Sequence, residues 1–162
     1  MKMESRFAGL APAIAILWGG VAIGATCIAT PVKFLAPSLS LGTALEIGRA
    51  TFYWSGVAET LLCALFLLSL LSFGGVRWRW VAIPVVLFLV QRVGLMPTLD
   101  ARTVKIIAGQ EVGESNLHIV YIYLELAKCL ALLVIGFTAI CMRRAGGPSR
   151  TEPHLEIDGG KL

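Results

Sequence analysis

LHIVYIYLELAKCLALLVIGFTAICM, residues 117–142, decides the fold. A bilayer core needs about 20 apolar residues per helix, and this run exceeds that length. It carries one acid, Glu125, and one lysine, Lys128. His118, Tyr121, Glu125 and Lys128 follow one another by three, four and three residues, and Cys129 lies four after Glu125. That spacing places all five on one stripe of a helix. Leu130, Leu132, Leu133, Val134 and Ile135 are expected on the opposite side.

Working outward, three more hydrophobic stretches precede it, at roughly 8–30, 52–73 and 80–97, and the last runs over 117–142. Four such stretches in 162 residues leave no room for a soluble domain. Composition agrees. The chain is 57% apolar and 15% charged, with mean hydropathy +0.80, against about 45–50% and 25% in soluble domains. The expected fold is all-α, a polytopic membrane protein with four transmembrane helices in a bundle over residues 1–144. Residues 145–162 read as a hydrophilic, disordered cytoplasmic tail. The net charge of +4 comes from scattered basic residues that flank apolar spans. It marks topology, not nucleic-acid binding.

Between the stretches the chain shows its punctuation. Gly20 and Gly24 form a GxxxG step, which reads as close packing inside the bundle. Pro31 is expected to end the first span. Pro37, Ser38, Ser40 and Gly42 supply turn chemistry, and from Thr43 the pattern turns helical and leads into the second span. There Arg49, Tyr53, Gly56, Glu59, Thr60 and Cys63 share a face, with Glu46 a turn earlier. Such a polar face should point into the bundle. Pro84 is expected in the first turn of the third span, where proline is tolerated. Trp78 and Trp80 suit the headgroup level. Ala101 to Ala108 reads as a short amphipathic helix capped by Asp100 and broken by Gly109 and Gly113, with Ser115 or Asn116 capping the last helix.

Lys and Arg sort by side. Lys2, Arg6, Arg77, Arg79, Arg143, Arg144, Arg150 and Lys161 lie on one side; Lys33, Arg49, Arg102 and Lys105 lie on the other, with Arg92 at its rim. The positive-inside rule predicts an inner-membrane protein with both termini cytoplasmic. The N-terminus has a signal-like look, with small residues near Ala25–Ala29, but its apolar run is too long for an h-region and reads as a retained helix. In this orientation Glu59, Arg92 and Glu125 fall in the outer half of the membrane, and Lys128 near its middle. Glu59–Lys128 and Arg92–Glu125 are candidate pairs, as is the reverse assignment. Glu125 and Lys128 can also pair within one helix.

GGVAIGATCIATPVKF and the later GRATF resemble the opening of a bacterial four-helix inner-membrane family of unknown function that groups with eukaryotic transmembrane protein 205. The matching residues are Pro31, Phe34, Gly48, Phe52, Pro97, Arg102 and His118, over about residues 10–140. Lys33 and the Glu125/Lys128 pair depart from that pattern. The resemblance implies the four-helix architecture and a loose link to metal or drug tolerance.

Ionisable residues inside membrane helices mark functional sites by default. The candidate substrate or ion site is Glu59, Arg92, His118, Tyr121, Glu125 and Lys128, with a secondary stripe of Glu46, Arg49 and Tyr53. The leading reading is binding or permeation of a small solute or ion, with a homo-oligomer supplying any pore. One alternative is a non-catalytic accessory or assembly subunit of a larger membrane complex, in which the charges only fix packing. A second is copper handling through His118, Cys129 and Cys63, since soft ligands suit Cu(I). The chain has no CxxC pair, and no metal site or cofactor is assigned. No HExxH, GxSxG or phosphate-loop pattern is present, so no enzyme is expected. The expected partners are the lipid bilayer and either copies of the chain or another membrane protein.

Overall fold

A computed structural model describes residues 10–73 and 78–145. Residues 1–9, 74–77 and 146–162 lie outside the described residues, and with them the expectations of a signal-like start and a disordered tail. The described residues form four long helices and no strand. The first, α1, comprises Leu10–Ile23, a π-helical turn Gly24–Ala29, one α turn Thr30–Val32 and a 3-10 turn Lys33–Leu35. The second, α2, is Leu41–Phe73; α3 comprises Trp78–Leu89, a π-helical turn Val90–Leu95 and Met96–Ile107; α4 is Leu117–Ala145. All four are long and apolar enough to cross a membrane. The protein is a multi-pass membrane protein built as a four-helix bundle.

The helices are longer than the apolar stretches. Pro31 does not end α1, and Pro97 does not end α3. In each case a π-helical turn comes first, and the chain passes through the proline in helical form. Proline lacks an N–H and its ring crowds the carbonyl four residues back. The wider turn moves the bonding to i−5: the N–H of Thr30 donates to the Ala25 carbonyl and that of Met96 to Gln91. Pro84 sits inside α3, beyond its first turn. Residues 101–107 continue α3 and are not a separate helix, so Asp100 caps nothing.

The caps are chemically ordinary. Ser40 Oγ accepts the Thr43 N–H at 3.2 Å and opens α2 as an N-cap. Ser115 Oγ accepts the Leu117 N–H at 3.3 Å at the start of α4. At the end of α3, Gly109 adopts φ +73°. There the N–H of Gly109 donates to Ile106 O and that of Gln110 to Lys105 O, the pattern of a glycine-terminated helix.

In the bundle, α1 packs on α2 and α4, α3 packs on α4, and the far end of α3 returns to α2. The apolar core is Ile14, Ala15, Trp18, Leu62, Phe66, Val81, Phe88 and Leu132. Leu132 is fully buried. It stands on the face of Glu125 and Lys128, not opposite them, because seven residues are close to two turns. Trp18 lies at the centre, edge-on to Phe66 at 6.1 Å and to Phe88 at 5.5 Å. Gly20 and Gly24 do not pack inside the bundle; a Cβ at either would meet open space. Close approach of α1 and α4 instead uses Gly136, where a Cβ would run into Ile16 and come within 3.1 Å of the Pro12 carbonyl.

Candidate functional site

The polar face of α2 meets α4 and the π turn of α3 just above the aromatic core. Lys128 bonds two carboxylates. Its Nζ donates to Glu59 from across the bundle and lies 3.0 Å from the carboxylate of Glu125, one turn back on its own helix. Glu59, Glu125 and Lys128 are all buried, the last two at 1% exposure. Neutral donors share the carboxylate oxygens that Lys128 bonds, Oε2 of each acid. Trp18 Nε1 donates to Glu59 at 2.9 Å, and Gln91 Nε2 donates to Glu125 at 2.8 Å. Gln91 Nε2 also reaches the backbone oxygen of Tyr121 at 3.3 Å, and the Cys129 thiol faces Glu125 at 3.9 Å. A buried charge is tolerable only when paired and hydrogen-bonded, and this cluster meets both conditions.

Beside it opens a small cavity of about 20 Å³, lined by Phe52, Gly56, Glu59, Gln91, Arg92, Tyr121 and Lys128 among others. Its size suits about one water molecule. Gln91 Oε1 is buried and has no hydrogen-bond partner among the described residues. Across the cavity, the Arg92 guanidinium lies against α2 where Gly56 lacks a side chain; a Cβ there would stand 2.7 Å from Nη1. The π turn turns two consecutive residues inward, Gln91 onto Glu125 and Arg92 over Gly56. Single π turns of this kind recur at functional sites.

Of the expected pairs, Glu59–Lys128 and Glu125–Lys128 form, whereas Arg92–Glu125 does not. Gln91 takes that place, and Arg92 makes no ion pair among the described residues. Tyr121 is buried on the cavity wall, edge-on to Phe52 at 5.7 Å. His118 is exposed at the start of α4 and lies apart from the cavity. Thr60 turns outward, its hydroxyl donating to the Gly56 carbonyl at 2.6 Å. Cys63 is buried one turn from Glu59, and Cys129 beside Glu125. His118 stands eleven residues from Cys129, about 16 Å of helix, so the proposed copper ligands do not converge. Among the described residues no three His, Cys, Asp or Glu side chains group so as to hold a metal ion.

Glu46, Arg49 and Tyr53 occupy a different place. They line an open groove of about 710 Å³ between α2 and the far half of α3, with Trp54, Arg92, Met96 and Asp100. Arg49 forks onto Asp100, Nε to Oδ1 at 2.6 Å and Nη2 to Oδ2 at 3.1 Å. This pair is exposed, each side chain at 41%. Ten residues separate Arg49 from Glu59, about 15 Å of helix. Glu59 and Lys128 are in contact and so share one level, and the two depths expected for them merge. Arg92 and Met96 line both the cavity and the groove, so the two adjoin.

Sequence reading missed four participants. Gln91 and Trp18 carry no charge to attract notice. Asp100 reads in sequence as a cap, not as a partner of Arg49. Lys33 follows Pro31, where local rules place a helix end; it is buried, its Nζ packs directly over Gly48 and lies 5.0 Å from the Phe34 ring centroid and 6.0 Å from that of Phe52.

Together the fold and site define a class: a four-helix multi-pass membrane protein with a buried acid–base cluster beside a groove. Comparison with protein-family models, curated proteins and solved structures gives no match.

Proposed function

We propose that the protein binds and permeates a small ion at the Glu59–Lys128–Glu125 cluster, with a proton as the favoured occupant. One observation carries this reading: two buried carboxylates share a single lysine beside a one-water cavity. Ionised, the three groups hold one excess negative charge, which a proton or small cation neutralises. The unpartnered oxygen of Gln91 offers it a further acceptor. A polyatomic solute does not fit so small a space. The core of Trp18, Phe66, Phe88 and Leu132 closes the bundle beyond the cluster, so passage requires a change of packing or a pore shared between copies. The charge pattern of the loops favours an inner membrane with both termini cytoplasmic, and the groove then opens to the outer face.

The test is proton flux into liposomes driven by a potassium diffusion potential. Wild-type protein should acidify the lumen, and Glu125→Gln should not, while keeping its helical content and melting temperature. Equal flux from the two proteins sinks the reading.

A second reading, an assembly subunit, rests on a different observation. Gly20 and Gly24 face open space on α1, beside a π turn with no buried residue, and small residues on a free face suit contact with another membrane helix. Extraction in mild detergent followed by mass determination tests it: a stoichiometric second protein supports it, and the chain alone opposes it.

A further inference from the structure

The cavity beside the cluster has a charge make-up of its own. The charged side chains that line it are Glu59, Arg92 and Lys128, one acid against two bases. Lys128 is held between Glu59 and Glu125. Arg92 makes no ion pair or side-chain hydrogen bond among the described residues. Its guanidinium stands on the wall because Gly56 leaves the space; a Cβ there would lie 2.7 Å from Nη1 and 2.9 Å from Cζ. The neutral part of the wall is as informative. Gln91 spends its Nε2 on the Glu125 carboxylate and the Tyr121 carbonyl. Two acceptors fix the amide's orientation, and the atom left over is Oε1, a buried acceptor without a partner. Both hydrogen bonds to Glu59 land on Oε2, so its Oε1 is free to take a proton.

Three kinds of occupant compete for so small a space. A hard metal cation takes about six oxygen ligands, but here two bases face it whose N–H groups only donate. A halide is drawn to the bases, yet it cannot donate to Gln91 Oε1 and is repelled by Glu59. Water satisfies both halves of the wall: it donates to Gln91 Oε1 and accepts from Arg92. Buried waters commonly make about three such bonds. A proton needs no ligand shell, because it passes along hydrogen bonds.

We propose that Arg92 sets the ion selectivity of this site: its guanidinium keeps metal cations out of the cavity and leaves it to one water, which hands protons to Glu59. This rests on the cluster being the ion site proposed above, and it narrows the occupant from a small ion to a proton carried by water. Lining donors, acceptors and fixed charges are what decide selectivity at such close quarters.

The test is thermal melting of the full chain in mild detergent, in sodium chloride against N-methyl-D-glucamine chloride at equal ionic strength. An ion that binds only the folded protein raises its melting temperature. Wild type should melt at the same temperature in both salts. Arg92→Gln, which leaves Glu59 facing one base instead of two, should melt about 3 °C higher in sodium. Arg92→Met is read in the same way where Arg92→Gln does not fold. Arg92→Lys keeps the positive charge and should stay indifferent to sodium. Adding Glu59→Gln to Arg92→Gln should abolish the sodium response. Sodium stabilisation of wild type, indifference of the folded Arg92 variants, or a response that survives Glu59→Gln overturns the assignment. Stabilisation of wild type by chloride over gluconate also overturns it, in favour of a halide. None of these readouts uses flux. Sodium responses as expected in a protein that passes no protons would remove permeation and leave the selectivity of the site standing.

Discussion

Two ion pairs link α2 to its neighbours, and they differ in almost everything but type. Arg49–Asp100 forks between side chains that are each 41% exposed. Lys128 with Glu59 and Glu125 lies about 15 Å deeper and is almost fully buried. At the exposed site water screens both charges, and such pairs contribute about 0–1 kcal/mol. At the buried site each charge has given up hydration, so the network exists only because every member has partners. Removing the shared lysine there strands both acids. The comparison shows why geometry alone does not rank these contacts: the fork of Arg49 is well formed and energetically minor, while the buried triad is a liability that the fold maintains.

The sharpest way to break the comparison is Lys128→Met. It leaves Glu59 and Glu125 facing each other without a cation. Loss of one member of a buried pair costs about 3–5 kcal/mol, and thermal melting in detergent should show a drop of many degrees. Pairing it with Glu59→Gln should recover much of that loss. A double variant as unstable as the single one would mean that Lys128 acts by packing and not by charge.

Gly56→Leu sharpens the boundary between the two regions. A Cβ alone stands 2.7 Å from Arg92 Nη1, so a larger side chain must displace the guanidinium toward the groove. Overpacking of this kind costs about 1–3 kcal/mol. Ion flux should fall further than stability does, and a variant with full flux would show that the groove is not the route to the cavity. Glu125→Gln should change stability by less, within about 1 kcal/mol, because Lys128 keeps Glu59 and Gln91 keeps an oxygen to bond. The smallest effect belongs to Asp100→Asn, expected at about 0–1 kcal/mol and weakened further by salt. A loss as large as that of Lys128→Met would collapse the distinction between the two sites.

The architecture was legible because length and hydropathy are all that four spans require. The charged members of the cluster were legible too, since Glu59, Glu125 and Lys128 stand out against leucine. Their partners were harder. A π turn changes which residues of α3 face inward, so the neighbour of the conspicuous Arg92 reaches Glu125, and neutral Gln91 gives no hydropathy signal. A proline misled at Pro31, because local rules read it as an end and the i−5 bond that carries the helix past it depends on the preceding turn. His118 fitted the helical stripe yet lies outside the cavity: periodicity gives a face but not how far along it the bundle closes.

The most direct measurement is on the triple variant Glu59→Gln, Glu125→Gln, Lys128→Met, reconstituted in liposomes and melted in detergent. Neutral side chains of similar volume in place of a buried ionic network are often as stable as the original. The account predicts a protein that melts within a few degrees of wild type and passes no protons. A well-folded triple variant with wild-type flux would contradict it, and would leave the buried charges with a packing role alone.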